Sequence, residues 1–212
     1  MAHVLVIGAS RGVGLATVKA ALAAGHRVRA FARSAVDMVD PMLETVMGDA
    51  LDAAAVRAAL AGTDAVVQVL GTPKRADVYL GGTELFSKAT RVLVDAMTAV
   101  GPRRLVVVTG LGAGDSRGHG GFLFDRVMFA LVLDRVYRDK DVQEQIVRRS
   151  ALDWTIVRPG LLNDRPATGV VRALTDPKDW RAGPVSRDDV AAFLVQQIAD
   201  RRFLHATPLL ID

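Results

Sequence analysis

Apolar residues in this chain fall into short unbroken runs, and between the runs they recur every third or fourth position. The runs are His3 to Ile7, Arg27 to Ala32, a short one closed by Met47, Asp64 to Leu70, Arg103 to Thr109 and Asp153 to Val157. The first and the fifth are rich in Val, Leu and Ile, as strands buried on both faces require. The intervening stretches read as helices: Leu15 to Ala24 closed by Gly25, Ala53 to Ala61 ended by Gly62, and Thr83 to Val100 followed by Gly101-Pro102. A long helical region ends at about Arg149. A last helix, Ser186 to Asp200, takes Ser186 as N-cap with Asp188 and Asp189 in its first turn. Residues Gly169 to Leu174 add a further short strand. Six strands in strict alternation with helices predict an α/β protein, a doubly wound parallel sheet of six or seven strands with helices on both faces. With no linker or repeat, residues 1–212 form one domain, with a short C-terminal elaboration over about 160–212.

Ligands on such sheets bind beyond the carboxyl ends of the strands, so the residues just after each run are the candidates. The first of these turns is Gly8-Ala9-Ser10-Arg11-Gly12-Val13-Gly14. A diphosphate sits on a helix N-terminus only where backbone N–H groups point at it and no side chain blocks the approach. Glycine allows both the backbone angles and the close contact. An ordinary tight turn could carry the same glycines, but in the first strand–helix turn they match the dinucleotide fingerprint of a Rossmann-type sheet. Gly8, Ser10, Arg11, Gly12, Val13 and Gly14 are therefore assigned to cofactor binding.

After the second strand an NAD-selective site carries an Asp or Glu for the ribose hydroxyls. Here Arg33 and Ser34 stand in that place. A guanidinium cannot accept those hydrogen bonds but pairs well with a 2′-phosphate. Arg11 is placed to reach the same phosphate, so NADP(H) is expected over NAD(H), the alternative being two solvated arginines. Asp49, in Gly48-Asp49-Ala50-Leu51, suits the adenine amine with Leu51 against the ring, or else serves as an N-cap. Leu70, Gly71 and Thr72 leave room for the cofactor after the fourth strand, or form an ordinary turn. Thr109 ends the fifth at the height of the nicotinamide, and Pro159, Gly160 and Leu161 complete the set.

Composition narrows the function without defining it. Residues are 50% hydrophobic and 5% aromatic, and the net charge of +4 comes from 27 basic and 23 acidic residues. The basic ones are spread along the chain and not interleaved with aromatics, against a nucleic-acid role. The longest apolar stretch, Phe122 to Leu133, is broken by Asp125 and Arg126 and is too short to cross a bilayer. No signal peptide is expected ahead of the first strand. The absence of cysteine excludes disulfides, thiol catalysis and Cys-ligated metal, and fits a cytoplasmic protein. His3, His26 and His205 have no partner at metal-ligand spacing, so no metal is assigned.

The glycine turn, Gly48-Asp49-Ala50-Leu51, Gly81-Gly82-Thr83, residues Asp153 to Gly160 (DWTIVRPG) and Ser186-Arg187-Asp188-Asp189-Val190-Ala191 follow one another across nearly the whole chain. In these the chain resembles the atypical short-chain dehydrogenases/reductases, in particular their NAD(P)-binding, NmrA-like and biliverdin-reductase-B-like branch. The resemblance implies an NAD(P)-dependent oxidoreductase, or a relative that binds the cofactor without turnover. Many family members use a Tyr-x-x-x-Lys pair in which the tyrosine moves the substrate proton and the lysine holds the nicotinamide ribose. Lys140 matches that lysine, but Val136 stands four residues before it and Tyr137 three. One residue turns a helical side chain by about 100°, so Tyr137 shares a face with Lys140 outside the family's register. It reads as a packing or surface tyrosine. Lys140 reads as a ribose contact, or as the partner of Glu144 at i+4.

The expected function is hydride transfer from NADPH to a small apolar or conjugated acceptor, a flavin, quinone or similar, which needs no positioned side-chain acid. Lys140 and Thr109 are the catalytic candidates. The alternative is a non-catalytic NAD(P)-binding redox sensor. The loop Gly110 to Gly121, with six glycines in twelve residues, is expected to be a mobile lid or a plain surface loop. Phe122, Phe124, Met128 and Phe129 line an acceptor pocket, a helix core or a subunit interface. The expected partners are a small-molecule acceptor and, at most, a few copies of the chain itself, as a monomer or small homo-oligomer.

Overall fold

The computed structural model describes residues 1–72, 82–120 and 134–212. Strands β1 (His3–Ile7), β2 (Arg27–Ala32), β3 (Leu43–Met47), β4 (Ala65–Gln68), β5 (Arg104–Val108) and β6 (Asp153–Pro159) alternate with helices. These are α1 (Gly12–Ala23), α2 (Ala53–Leu60), α3 (Leu85–Val100), α4 (Asp134–Arg149) and α5 (Arg187–Gln196). Four short strands follow β6: β7 (Leu161–Asn163), β8 (Arg172–Leu174), β9 (Pro184–Ser186) and β10 (Leu209–Ile211).

The main sheet runs β3-β2-β1-β4-β5-β6-β10-β8. The six expected strands are parallel, as the patterning predicts; β10 adds a seventh parallel strand beside β6, and β8 closes the edge antiparallel to β10. Strands β7 and β9 form a separate parallel pair. β7, β9 and β10 are not foreseen because three residues carry too little periodicity to stand out. The expected strand at Gly169 to Leu174 survives as β8.

Alternation along the buried strands divides the core in two. Val4, Val6, Val67, Val106 and Val157 point to one face and pack with Val13, Val18 and Ala21 of α1 and Val190, Phe193 and Leu194 of α5. Leu5, Ile7, Val66, Leu105 and Ile156 point to the other, against Val56 and Leu60 of α2, Leu93 and Met97 of α3, and Val147 of α4. Each such side chain contributes about 1.5–3 kcal/mol by leaving water, and burial on both faces explains the unbroken apolar runs. From β1 the chain steps out to β2 and β3, then returns to β4 on the other side of β1. That reversal opens a crevice between the carboxyl ends of β1 and β4.

Helix starts differ in how their free N–H groups are met. The Asp52 carboxylate caps α2 through the amides of Ala54 and Ala55 at 2.8 and 3.2 Å. Ser186 caps α5, its hydroxyl accepting from the Asp189 amide at 2.9 Å. α3 is capped from another helix: Asp139 accepts from the amides of Phe86 and Ser87 at 2.8 and 3.2 Å. At α1 the N-cap is Arg11, which makes no capping hydrogen bond, and the first turn holds no acid.

Candidate functional site

α1 begins at Gly12, three residues before its apolar periodicity does, so the amides of Gly12, Val13 and Gly14 form its first turn. Such amides have no acceptor within their own helix. The turn before them is folded as tightly as glycine permits. Gly8 has φ +91°, and a Cβ on it would lie 2.3 Å from the carbonyl oxygen of Val69. A Cβ on Gly14 would lie 2.0 Å from the carbonyl oxygen of Gly8. The two glycines bring the end of β1, the end of β4 and the start of α1 together at the crevice. An uncapped helix start within a cradle that admits no side chain suits a dinucleotide diphosphate.

Every expected contact residue lies near the carboxyl edge of the parallel sheet or on the turn and helix that leave it. Arg33 and Ser34 follow β2 and are exposed. Neither Arg33 nor Arg11 makes a hydrogen bond or ion pair among the described residues, so both guanidinium groups remain available to a phosphate. Asp49, after β3, accepts from the Leu51 amide at 3.0 Å, and the capping of α2 falls to Asp52. Ala50 is buried and Leu51 exposed. After β4, Leu70 and Thr72 are half-buried, and Gly71 is exposed with nothing within 4 Å of where a Cβ would be. After β6, Gly160 is small for a packing reason, since a Cβ there would lie 2.4 Å from the Gly183 carbonyl oxygen. Pro159 is buried and accepts from the Leu111 amide at 3.0 Å, whereas Leu161 is exposed.

At the end of β5 the site closes on itself. Lys140 is buried, its ammonium donating to the Thr109 carbonyl at 2.9 Å and lying 4.2 Å from the centre of the Phe86 ring. Burial pulls its pKa down to about 8, against the opposing charges of Glu144 and Asp139. The Thr109 hydroxyl donates to Glu144 at 2.8 Å. Glu144 is itself held by Arg158, whose Nε and Nη2 donate to its two oxygens at 2.9 and 2.6 Å. Arg158 is fully buried, its guanidinium 5.2 Å from the Trp180 ring centre, and it also donates to Asp115. The alternative partner for Lys140, Glu144, is thus bound to Arg158. Of this network the sequence marks Lys140, Thr109 and, at i+4 from Lys140, Glu144; Asp115 and Arg158 share no spacing with them and meet them only in the fold.

Tyr137 enters the site as well. A Cβ on Gly110 would lie 2.7 Å from its hydroxyl oxygen, and the Lys140 ammonium is 5.9 Å from its ring centre. The shifted tyrosine therefore places its hydroxyl at the end of β5. The signal was present, a three-residue spacing to Lys140 and a glycine after the strand.

The glycine-dense loop is packed over its described part. Gly110 to Ala113 and Ser116 are buried. The Gly112 amide donates to the Ser116 hydroxyl at 2.9 Å, and the Gly114 amide to Asp141 at 2.7 Å. Gly114 (φ +56°) leaves room for Arg158 and Glu144, each 2.7 Å from where its Cβ would be. Gly110 and Gly114 answer to close approach and, with Gly112, to backbone angle, whereas Gly118 has nothing within 4 Å of where its Cβ would be. Gly121, Phe122, Phe124, Met128 and Phe129 lie outside the described residues. No helix among the described residues is long and apolar enough to cross a membrane.

Sheet order, crevice and glycine cradle define a dinucleotide-binding α/β protein. The chain belongs to the NAD(P)H-binding family, which it matches over residues 8–201. It is 28% identical over 153 residues to the uncharacterized sugar epimerase YhfK of Bacillus subtilis, covering 69% of this chain and 62%, less than two thirds, of that protein. An uncharacterized chloroplastic protein of Arabidopsis thaliana is 28% identical over 211 residues, 92% of this chain and 71% of that one. Among solved structures, ChuY of Escherichia coli O157:H7, an anaerobillin reductase, superposes with TM-score 0.78 at 28% identity, covering 99% of this chain and 96% of ChuY. A short-chain dehydrogenase/reductase of Veillonella parvula, solved with NADP, shares the fold with TM-score 0.79 at 15% identity, over 100% of this chain and 94% of that one.

Proposed function

We propose that the protein is an NADP(H)-dependent reductase that passes hydride to a small apolar or conjugated acceptor such as a flavin or quinone. The observation that carries this is the buried Lys140 ammonium at the end of β5, 5.9 Å from the Tyr137 ring centre, on the sheet edge that also carries the glycine cradle. The bound nicotinamide supplies the hydride. The chain's own residues bind and orient. Gly8, Ser10, Gly12, Val13 and Gly14 hold the diphosphate, and Arg33 with Arg11 and Ser34 takes the 2′-phosphate. Asp49, Ala50 and Leu51 border the adenine. Leu70, Gly71 and Thr72, with Pro159, Gly160 and Leu161, flank the path to the nicotinamide. Lys140 holds the nicotinamide ribose, and Thr109 fixes Lys140 through its carbonyl. ChuY's reductase activity supports this reading at the level of reaction type, and YhfK's description as an epimerase gives the family a second chemistry.

Absorbance of NADPH followed with a panel of flavin, quinone and linear tetrapyrrole acceptors tests the proposal. Turnover with at least one is expected. A second reading, a dinucleotide sensor, is favoured by the Thr109 hydroxyl, which is committed to Glu144 and thus not offered to a substrate. Tight NADPH binding with no oxidation across the panel would establish the sensor in place of the reductase.

A further inference from the structure

Arg187 stands where helix electrostatics does not favour a cation. It is the first residue of α5, at the positive end of the helix dipole, and Asp188 and Asp189 offset it within the same turn. Its side chain reaches the start of α1, against which α5 packs. A Cβ on Gly12 would lie 3.9 Å from Arg187 Nε. Positive charge therefore converges on Gly12 from the uncapped start of α1, from Arg11 and from Arg187. The carboxylate that meets Arg187 is Asp164, whose Oδ1 accepts from Nη1 at 2.7 Å and whose side chain is 87% exposed.

The frame that carries Arg187 is fixed. Asp189 is buried and accepts from the amides of Thr168 and Gly169 at 2.8 and 2.9 Å and from the Ser186 hydroxyl at 2.7 Å. This ties the segment after β7 to the first turn of α5. The Arg187 side chain and the exposed Asp164 are free to change partners without disturbing it.

We propose that Arg187 is a ligand of the dinucleotide diphosphate, held at the mouth of the glycine turn by Asp164 until the diphosphate takes over its guanidinium. The assignment rests on cofactor binding at residues 8–14 and not on hydride transfer. An exposed arginine–carboxylate pair contributes little, so a doubly charged diphosphate facing an uncapped helix displaces it. The role differs from that of Arg33. The diphosphate is common to NADH and NADPH, whereas the 2′-phosphate belongs to NADPH alone.

Nicotinamide fluorescence titrations of both dinucleotides into wild type, Arg187→Ala, Arg187→Lys, Asp164→Asn and Arg33→Ala test it, with the unfolding midpoint of each variant measured alongside. Arg187→Ala is expected to weaken NADH and NADPH by the same factor, about 10- to 100-fold, at an unchanged midpoint. Arg187→Lys recovers part of the loss. Asp164→Asn, which removes the rival anion, binds both at least as tightly as wild type. Unchanged affinities in Arg187→Ala, or a loss confined to NADPH, would overturn the assignment. A loss in Asp164→Asn as large as in Arg187→Ala would overturn the exchange. A wild type that binds both dinucleotides but reduces no acceptor ends the reductase reading and leaves Arg187 in place. A wild type that binds neither ends both.

Discussion

The two ends of the crevice treat their polar groups in opposite ways. At the glycine turn the first amides of α1 are uncapped, and Arg11 and Arg33 are exposed with no partner among the described residues. At the end of β5 the Thr109 hydroxyl, the Lys140 ammonium, the Glu144 carboxylate and the Arg158 guanidinium are buried and joined to one another. One end keeps its donors for a ligand, and the other uses them to hold the protein together. Charge alone does not mark a binding residue. The difference lies in whether the fold already satisfies it.

The largest effect expected from this contrast is on stability at the closed end. Arg158 is 0% and Glu144 2% exposed, so Arg158→Leu takes from a buried carboxylate the cation that binds both its oxygens and leaves it with Arg148 at 3.8 Å as its ion-pair partner. Loss of one partner from a buried pair costs about 3–5 kcal/mol, while replacing both is far milder. Denaturant unfolding should show Arg158→Leu strongly destabilised and the double variant Arg158→Leu/Glu144→Leu partly restored. A single variant within about 1 kcal/mol of wild type would mean that the network holds nothing.

This contrast also sets what could be read in the chain. Strands such as β1, β4 and β5 were legible because burial on both faces writes apolar runs. The candidate residues at the sheet edge were legible because Gly8, Gly14 and Arg33 lie in or near the turns that follow strands and their chemistry is local. The closed end was legible only in Lys140, Thr109 and Glu144, since Asp115 and Arg158 come from a loop and a strand whose meeting with that helix is a tertiary event. Arg187 was hidden for the same reason. In the loop of residues 110–120 glycine serves flexibility and close approach alike, and Gly114 shows its close contacts only once Arg158 and Glu144 are seen against it.

Lys140 belongs to the closed end and yet is proposed to reach the ligand, so its titration sharpens the comparison. Burial lowers its pKa from 10.5 to about 8. Below pH 8 the ammonium is charged folded and unfolded, and the full penalty of burying it is present. Between pH 8 and 10.5 the folded protein gives up this proton while the unfolded chain keeps it, so stability rises with pH. The rise from this group amounts to about 3 kcal/mol and ends above pH 10.5. Lys140→Met should be free of it. Urea midpoints of both proteins across pH 7 to 10.5 isolate the effect, since other titrating groups are common to the pair. Parallel profiles would show that the lysine is not held charged in a dry site.

At the open end the effect moves from stability to binding. Arg33→Ala should leave unfolding unchanged and remove most of a preference for NADPH over NADH. One charge-assisted contact is worth roughly 1.5–3 kcal/mol, so the preference is expected at about 10- to 100-fold. Fluorescence titration of both cofactors measures it. Equal affinities in the wild type, or a variant that loses NADH as severely as NADPH, would remove Arg33 from the 2′-phosphate.

The smallest expected effect decides what Tyr137 is for. Its hydroxyl lies at the end of β5, close to Gly110 and on the helix face of Lys140, but one position out of the family's register. A flavin or quinone can take its proton from water, so a reductase of such acceptors needs no tyrosine acid. Tyr137→Phe keeps the ring and removes the oxygen alone. It should leave kcat/KM for an accepted substrate within about threefold. Lys140→Ala, which removes the proposed ribose contact, should lower it by about 10- to 100-fold, or roughly 1.4–2.7 kcal/mol. Steady-state oxidation of NADPH by the two variants, each with the same acceptor, gives both numbers. A collapse in Tyr137→Phe as deep as in Lys140→Ala would make Tyr137 the proton donor in a shifted register, and the closed end would then carry catalysis as well as stability.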